Sequence, residues 1–255
     1  MTLFQAILSG IIQGLTEFLP VSSSGHLVLL QHFMNVKETQ LTFNVFLHIG
    51  TLFAVLIVFF EEIKKLFTSE RKTAFLLIIA MLPAGITALL WRVKIKAAFK
   101  NPLLAAIFLV ITGIILIAAS MRQNLTTIKK DKVNCWQALL IGGAQALALL
   151  PGISRSGMTI SAGLLSGIKQ EKVVTFSFLL SILAISSAAV FEILKQPALF
   201  KALNPGILAA GVLTSFAFGL LGLKIVINIV KRKKLHYFGL YCIGAGLLVI
   251  ILLNT

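Results

Sequence analysis

Six long apolar stretches constrain this chain more than any other feature of its sequence. Each is 18 to 22 residues long, which is enough for an α-helix to cross about 30 Å of hydrocarbon. Only 12% of the residues are charged, whereas about 25% are charged in an ordinary soluble domain. The sequence therefore predicts an all-α polytopic membrane protein with six full transmembrane helices, over residues 43–60, 73–91, 101–120, 173–194, 205–223 and 236–254.

The basic residues lie mainly in the short connections between these stretches. The formal net charge is +15, which on its own would suit an acidic partner such as nucleic acid. Runs such as "EEIKKLFTSERK", "KKDK" and "KRKK", however, separate apolar segments. Basic connections of this kind orient a protein in an anionic bilayer. We therefore expect bilayer lipids as the surroundings and no nucleic-acid partner.

One pattern occurs twice along the chain. The segment "QGLTEFLPVSSSGH" (13–26) is similar to "QALALLPGISRSGM" (145–158). At a spacing of 132 residues, identical residues pair as follows: Gln13 with Gln145, Ser22 with Ser154, Ser24 with Ser156 and Gly25 with Gly157. The pattern predicts two structural repeats, 1–125 and 133–255, which together form one membrane domain.

Each repeat begins with an apolar unit that Ser, Gly and Pro interrupt, followed by three full spans. Lipid cannot satisfy the backbone groups at such a break, so the unit is predicted to be a re-entrant helix-loop-helix. Three crossings per repeat invert the second copy relative to the first, an inverted-topology repeat in which the two loops approach from opposite faces. This scheme places 15 of the 23 Lys and Arg residues on one side and 7 on the other. The richer side is then cytoplasmic and both termini lie outside.

Glu17 and Arg155 are the charged residues that fall inside the two interrupted units. Ionisable groups at membrane depth are costly and indicate function. One interpretation is a buried ion pair that only locks the loops together, with little net stability. The other interpretation is that both residues belong to a binding or catalytic site.

Three features favour a site for phosphate. Serines and a glycine precede a helix start in both units, and helix N-termini bind anions. Arg155 carries a planar fork of donors that suits phosphate oxygens, and His26 can move a proton near neutral pH. We predict that Arg155 holds phosphate, that a serine or His26 attacks or relays a proton, and that Glu17 orients or accepts one. The loop residues expected to contact the substrate are Ser22, Ser24, Gly25, Ser154, Ser156 and Gly157.

Other residues support fewer conclusions. No nucleotide-binding P-loop and no zinc-binding HExxH pattern is present. Glu17 alone would form a weak protein site for Mg²⁺ or Ca²⁺, to which phosphate oxygens would add the remaining ligands. Thr159 lies one helical turn after Arg155 and can face the same ligand or bond to its own backbone. For His48, a helix–helix hydrogen bond and a role in the site are equally good interpretations.

The chain resembles the undecaprenyl-diphosphate phosphatase family, the bacitracin-resistance membrane proteins. The resemblance depends on "QGLTEFLPVSSSGHL" (13–27) and "LLPGISRSGMTI" (149–160). It implies hydrolysis of the C55 lipid carrier diphosphate to the monophosphate and inorganic phosphate, at the extracytoplasmic face of the bacterial plasma membrane. It implies a divalent cation and a nucleophile that is either Ser23 or His26. The functional positions that it implies are Gln13, Glu17, Ser23, His26, Ser154, Arg155 and Thr159.

Two residues depart from the pattern of this family, and one rival function remains open. Gln13 stands where many relatives carry Glu, and Asn44 stands where an acidic residue is expected, so charges that would hold a metal are missing. Inverted repeats with interrupted helices also occur in transporters, so a lipid-phosphate transporter or flippase is the alternative. His26 beside the serine run favours the enzyme, because a carrier needs no nucleophile. A homodimer is also compatible with the sequence.

Overall fold

The computed structural model describes residues 1–36, 41–125, 130–195, 204–231 and 234–254. Within these ranges the chain is helical, with one isolated β-bridge between Lys130 and Ile168. The helices of the first half are α1 (Leu3–Phe18), α2 (Ser23–Phe33), α3 (Leu41–Val58), α4 (Phe60–Phe67), α5 (Arg71–Leu90), α6 (Arg92–Ala98) and α7 (Pro102–Leu125). Those of the second half are α8 (Cys135–Leu147), α9 (Arg155–Leu165), α10 (Gln170–Lys195), α11 (Pro205–Lys231) and α12 (His236–Asn254).

Five of these helices are each long and apolar enough to cross a membrane, namely α5, α7, α10, α11 and α12. The sixth predicted span is α3, which passes the same test only together with α4. The chain bends by 74° between them, a break that the apolar pattern does not reveal. The helix α4 carries two acidic residues in its first turn and two basic residues in its last, so it cannot continue into hydrocarbon. The predicted all-α polytopic membrane fold is confirmed.

The interrupted units begin in the same way in both halves of the chain. Thr2 caps α1 and Asn134 caps α8, each within a capping box that a glutamine completes. Ser22 caps α2 and Ser154 caps α9, each by accepting a hydrogen bond from a glycine N–H. Corresponding caps are 132 residues apart, the spacing at which the motifs match. The division into repeats, their inversion and the re-entrant character of the units stay predictions.

The loops of the two interrupted units touch through their glycines. A Cβ added to Gly25 would lie only 2.7 Å from the Cα of Gly152, so the two backbones approach as closely as glycine allows. Gly152 has φ 96°, in the left-handed region that side chains rarely adopt. A Cβ there would also collide with the carbonyl of Ala105 in α7. This contact brings the end of α1 and the start of α9 together.

An aromatic cluster packs behind the two loops. Phe18, the last residue of α1, is fully buried, and its ring meets that of Phe178 in α10 edge to face with 5.7 Å between centroids. Phe59, at the bend after α3, contacts Phe178 in the same way at 5.4 Å. Because lipid is as apolar as a side chain, such close contacts rather than exclusion of water stabilise helix packing in a bilayer. The cluster fixes the end of α1, where Glu17 lies.

Candidate active site

Glu17 lies in the last turn of α1 and accepts hydrogen bonds on both carboxylate oxygens. Nη2 of Arg155 donates to Oε1 over 2.6 Å. The hydroxyl of Ser23 donates to Oε2 over 2.6 Å, and Nε2 of Gln13 donates to the same oxygen over 3.0 Å. Gln13 and Glu17 are four residues apart and therefore lie on one face of α1. The structure thus gathers four of the residues that the sequence analysis selected.

Arg155 is the first residue of α9, and its guanidinium bridges two other elements. Besides its bond to Glu17, Nη1 donates to the carbonyl oxygen of Ser177 in α10 over 3.4 Å. The side chain of Arg155 is 15% exposed, whereas that of Glu17 is 6% exposed. Charge-assisted bonds at this distance are stronger than neutral ones. The cation is therefore held on one side by the protein and accessible on the other, as a ligand for an anion requires.

His48 also contacts Glu17. The sequence had left open whether His48 belongs to the site. Its Nε2 lies 3.4 Å from Oε2 of Glu17, and its Nδ1 lies 2.7 Å from the carbonyl oxygen of Asn44. A carbonyl oxygen only accepts, so Nδ1 carries a hydrogen. The contact with the carboxylate is attractive when Nε2 carries one as well. The side chain is 28% exposed, so His48 forms part of the accessible edge of the site.

The ring nitrogens of His26 contact groups other than Glu17, although Ser23 lies only three residues before it. Its Nδ1 contacts the carbonyl oxygen of Ser22, and its Nε2 contacts the hydroxyl of Tyr241 in α12, both at 2.8 Å. Sequence reasoning did not select Tyr241, because a tyrosine near a helix end is typical of membrane interfaces. Only the packing of α12 against the first loop reveals this partner.

The remaining loop serines hold the two turns in shape. Ser22 accepts from the N–H of Gly25 over 3.3 Å, and Ser154 accepts from that of Gly157 over 3.1 Å. These glycines are therefore backbone donors to the helix caps. In each loop the capping hydroxyl also lies 3.3 Å from the hydroxyl of the serine two residues later, which is Ser24 in the first loop and Ser156 in the second. Direct contact of these residues with a substrate stays a prediction.

Two further hydroxyls join α9 to its neighbours. Ser156 donates to the carbonyl oxygen of Leu19, at the end of the first unit, over 3.0 Å. Thr159 is fully buried, and its hydroxyl lies 2.6 Å from that of Ser177 and 2.9 Å from the carbonyl oxygen of Arg155. Thr159 therefore stabilises the first turn of α9, which carries Arg155.

The site offers few ligands to a divalent cation. Both oxygens of Glu17 already accept from donors, one of which is the cation Arg155. Among the described residues no group of three or more His, Cys, Asp or Glu side chains is placed to hold a metal. The buried Oε1 of Gln13 has no hydrogen-bond partner among them. These residues do not fit a cation that protein ligands alone would hold. The expected Mg²⁺ or Ca²⁺ stays a prediction.

The similarity of this sequence to known proteins covers nearly the whole chain. The sequence model described as "Bacitracin resistance protein BacA" matches residues 6–248. This chain belongs to the BacA family. The match runs from α1 into α12 and therefore includes both loops and every residue of the Glu17 network.

Several curated proteins are similar to the chain along nearly its whole length. An undecaprenyl-diphosphatase of Alkaliphilus metalliredigens is 40% identical over 276 residues, with 98% of each chain covered. One of Rhodopirellula baltica is 39% identical over 252 residues, again with 98% of each covered. One of Treponema denticola is 38% identical over 262 residues, covering 97% of this chain and 96% of the relative. The similarity therefore extends over both halves of the chain and not over one loop alone.

Proposed function

We propose that this protein hydrolyses undecaprenyl diphosphate to undecaprenyl phosphate and inorganic phosphate, which recycles a lipid carrier for cell-wall synthesis. The family match and the names of the relatives support this reaction. The geometry adds a nucleophile, a base and a cation in one network. The observation that carries the proposal is the chain of two 2.6 Å hydrogen bonds from Ser23 to Glu17 and from Arg155 to Glu17.

Ser23 is the better of the two candidate nucleophiles. A hydroxyl becomes nucleophilic when an adjacent base accepts its proton, and such pairs lie within about 2.6–3.2 Å. The Ser23 hydroxyl is 2.6 Å from Glu17. Both ring nitrogens of His26, in contrast, contact Ser22 and Tyr241. We therefore assign the attack to Ser23 and the acceptance of its proton to Glu17.

In the first step the terminal phosphoryl group lies against Arg155. The Ser23 oxygen forms a bond to the terminal phosphorus and its proton passes to Glu17. The bond from that phosphorus to the bridging oxygen breaks, and undecaprenyl phosphate leaves with the electron pair. Arg155 and the first N–H groups of α2 and α9 stabilise the charge that develops on the phosphoryl oxygens.

In the second step a water molecule attacks the phosphorus of phosphoserine. The proton that the water loses passes to His26, which later releases it to solvent. The bond between phosphorus and the Ser23 oxygen breaks while Glu17 returns its proton to that oxygen. Inorganic phosphate leaves, and the two steps together consume one water molecule. A divalent cation bound here would be held mainly by the diphosphate oxygens.

The surroundings of the site follow from the apolar helices. The undecaprenyl chain would lie along helix surface within the bilayer, where it needs no desolvation. We place the protein in the bacterial plasma membrane with the site open to the extracytoplasmic side and both termini outside, on the distribution of Lys and Arg. Glu17, Ser23 and Arg155 belong to one chain, so the proposed reaction does not require the homodimer.

Phosphate release by the purified protein separates this proposal from the transporter alternative. Protein in detergent, given undecaprenyl diphosphate, is expected to release inorganic phosphate, and Ser23→Ala is expected to abolish release. Proteoliposomes that move labelled lipid phosphate across the bilayer, while the detergent-solubilised protein releases no phosphate, would support the transporter instead.

A further inference from the structure

Contacts on both ring nitrogens of His26 determine where its lone pair lies. Nδ1 is 2.8 Å from the carbonyl oxygen of Ser22, which only accepts, so Nδ1 carries a hydrogen. Nε2 of the neutral ring is then the acceptor, and the hydroxyl of Tyr241 donates to it over 2.8 Å. The two rings are nearly parallel, with 5° between their planes and 5.7 Å between their centroids.

The backbone of the first loop positions the Ser22 carbonyl oxygen that contacts the His26 ring. Ser22 has φ 65°, in a left-handed region that residues other than glycine seldom occupy. Its carbonyl oxygen accepts from the backbone N–H of His26 over 3.1 Å as well as from the ring. Strained backbone of this kind persists where the surroundings determine it, and it clusters at functional sites.

Helix packing positions Tyr241, the second contact of the His26 ring. Cys242, the residue after Tyr241, is fully buried with its Sγ 3.8 Å from the carbonyl oxygen of Pro20 in the first loop. One turn earlier, a Cβ added to Gly239 would lie 2.8 Å from the carbonyl oxygen of Gly113 in α7. Close contacts on both sides of Tyr241 therefore fix α12 against α7 and the loop. The hydroxyl reaches His26 from 215 residues away in sequence.

We propose that Tyr241 relays a proton to His26. The water that attacks phosphoserine gives a proton to the hydroxyl oxygen of Tyr241, and the hydroxyl's own proton passes to Nε2 of His26, the nitrogen that it already contacts. This inference depends on the proposed function, in which His26 serves the second step. The competing explanation is that the hydrogen bond only satisfies a tyrosine hydroxyl in apolar surroundings, in which case it stabilises α12 without affecting turnover.

The chain provides a matched pair of variants for the test. Tyr241→Phe removes the hydroxyl and keeps the ring. Tyr237→Phe makes the same change one helical turn earlier, where the ring contacts His236 and Lys234. We expect Tyr241→Phe to lower kcat for phosphate release about fivefold to tenfold, as the loss of one hydrogen bond predicts, with KM within about twofold. Tyr237→Phe is expected to keep the wild-type kcat. Equal rates for the two variants, or a higher rate for Tyr241→Phe, would overturn the proposal.

Two further measurements distinguish a proton relay from simple stabilisation. If Tyr241 acts only through His26, the double variant Tyr241→Phe with His26→Gln is no slower than His26→Gln alone; a further loss of several-fold contradicts this. Nitrogen NMR of ¹⁵N-histidine protein, with His26 assigned from His26→Gln, is expected to show Nδ1 protonated and an Nε2 signal that shifts in Tyr241→Phe. An unchanged Nε2 signal defeats the inference alone, whereas no phosphate release by the wild type defeats the proposed function as well.

Discussion

Arg155 donates to Glu17 over 2.6 Å and thereby joins the two interrupted units, although the two residues lie 138 positions apart in the sequence. The pair alone would also fit a structural ion pair that only holds the two loops together. The Arg155 side chain, however, is 15% exposed, and Ser23 donates to the second carboxylate oxygen of Glu17. The proposed function requires an ion pair that a substrate can reach, and not one that the protein encloses completely.

Arg155→Lys tests whether the planar fork matters as well as the charge. Lysine keeps one positive charge but cannot reach Glu17 and the Ser177 carbonyl together, as the two terminal nitrogens of Arg155 do. We expect kcat for phosphate release to fall about 100-fold, similar to the loss of one donor to a transition-state oxyanion. A thermal melt of the purified variant serves as the control for folding. A nearly wild-type rate would show that Arg155 is not the phosphate clamp.

Gly25→Ala tests the close contact between the loops. The added Cβ would meet Gly152 at 2.7 Å, so the loops must separate or distort. We expect a loss of about 1–3 kcal/mol in stability together with a large loss of activity. Gly143→Ala in α8 is the matched control, because no heavy atom lies within 4 Å of its added Cβ in the described part of the chain. Equal melting temperatures and activities for both variants would contradict the observed contact.

His48 variants test whether the imidazole beside Glu17 contributes to catalysis. His48→Ala removes the imidazole whose Nε2 lies 3.4 Å from Oε2 of Glu17, and we expect kcat/KM to fall about tenfold, similar to the loss of one polar contact. His48→Gln can retain a donor and should lose less activity. His32→Gln, at an exposed histidine of α2, is expected to have no effect. An unchanged kcat/KM in His48→Ala would assign His48 to helix packing only.

The two native cysteines test the orientation. Cys135 is exposed at the start of α8, and Cys242 is buried in α12. With both termini outside, Cys135 faces the cytoplasm. A membrane-impermeant maleimide should therefore label it in inside-out vesicles and not in intact cells, while Cys242 serves as the internal unlabelled control. Labelling in intact cells would require the opposite orientation.

The sequence predicts the membrane helices and the meeting of the two loops because both leave local signals. Apolar length identifies a span, and charged residues in apolar segments are rare enough to pair Glu17 with Arg155 before any coordinates are known. The bend of 74° after α3 is different. Apolar residues continue through Phe59 and Phe60, so hydropathy does not indicate where the helix breaks.

The partners of the two histidines were equally hidden from the sequence. Tyr241 reaches His26, and His48 reaches Glu17, because particular helix faces pack against each other. A single polar residue in an apolar helix does not reveal which neighbour it faces. The same limit applies to Ser22, whose positive φ its residue type does not predict.

Trapping the covalent intermediate tests the central claim most directly. Undecaprenyl diphosphate that carries ³²P in its terminal phosphoryl group would be mixed with the protein, quenched in neutral denaturant within one turnover and mapped by peptide. The 2.6 Å bond from Ser23 to Glu17 predicts label on the peptide that contains Ser23, attached at that serine, and none in Ser23→Ala. Label on His26 instead, or wild-type phosphate release by Ser23→Ala, would contradict the account.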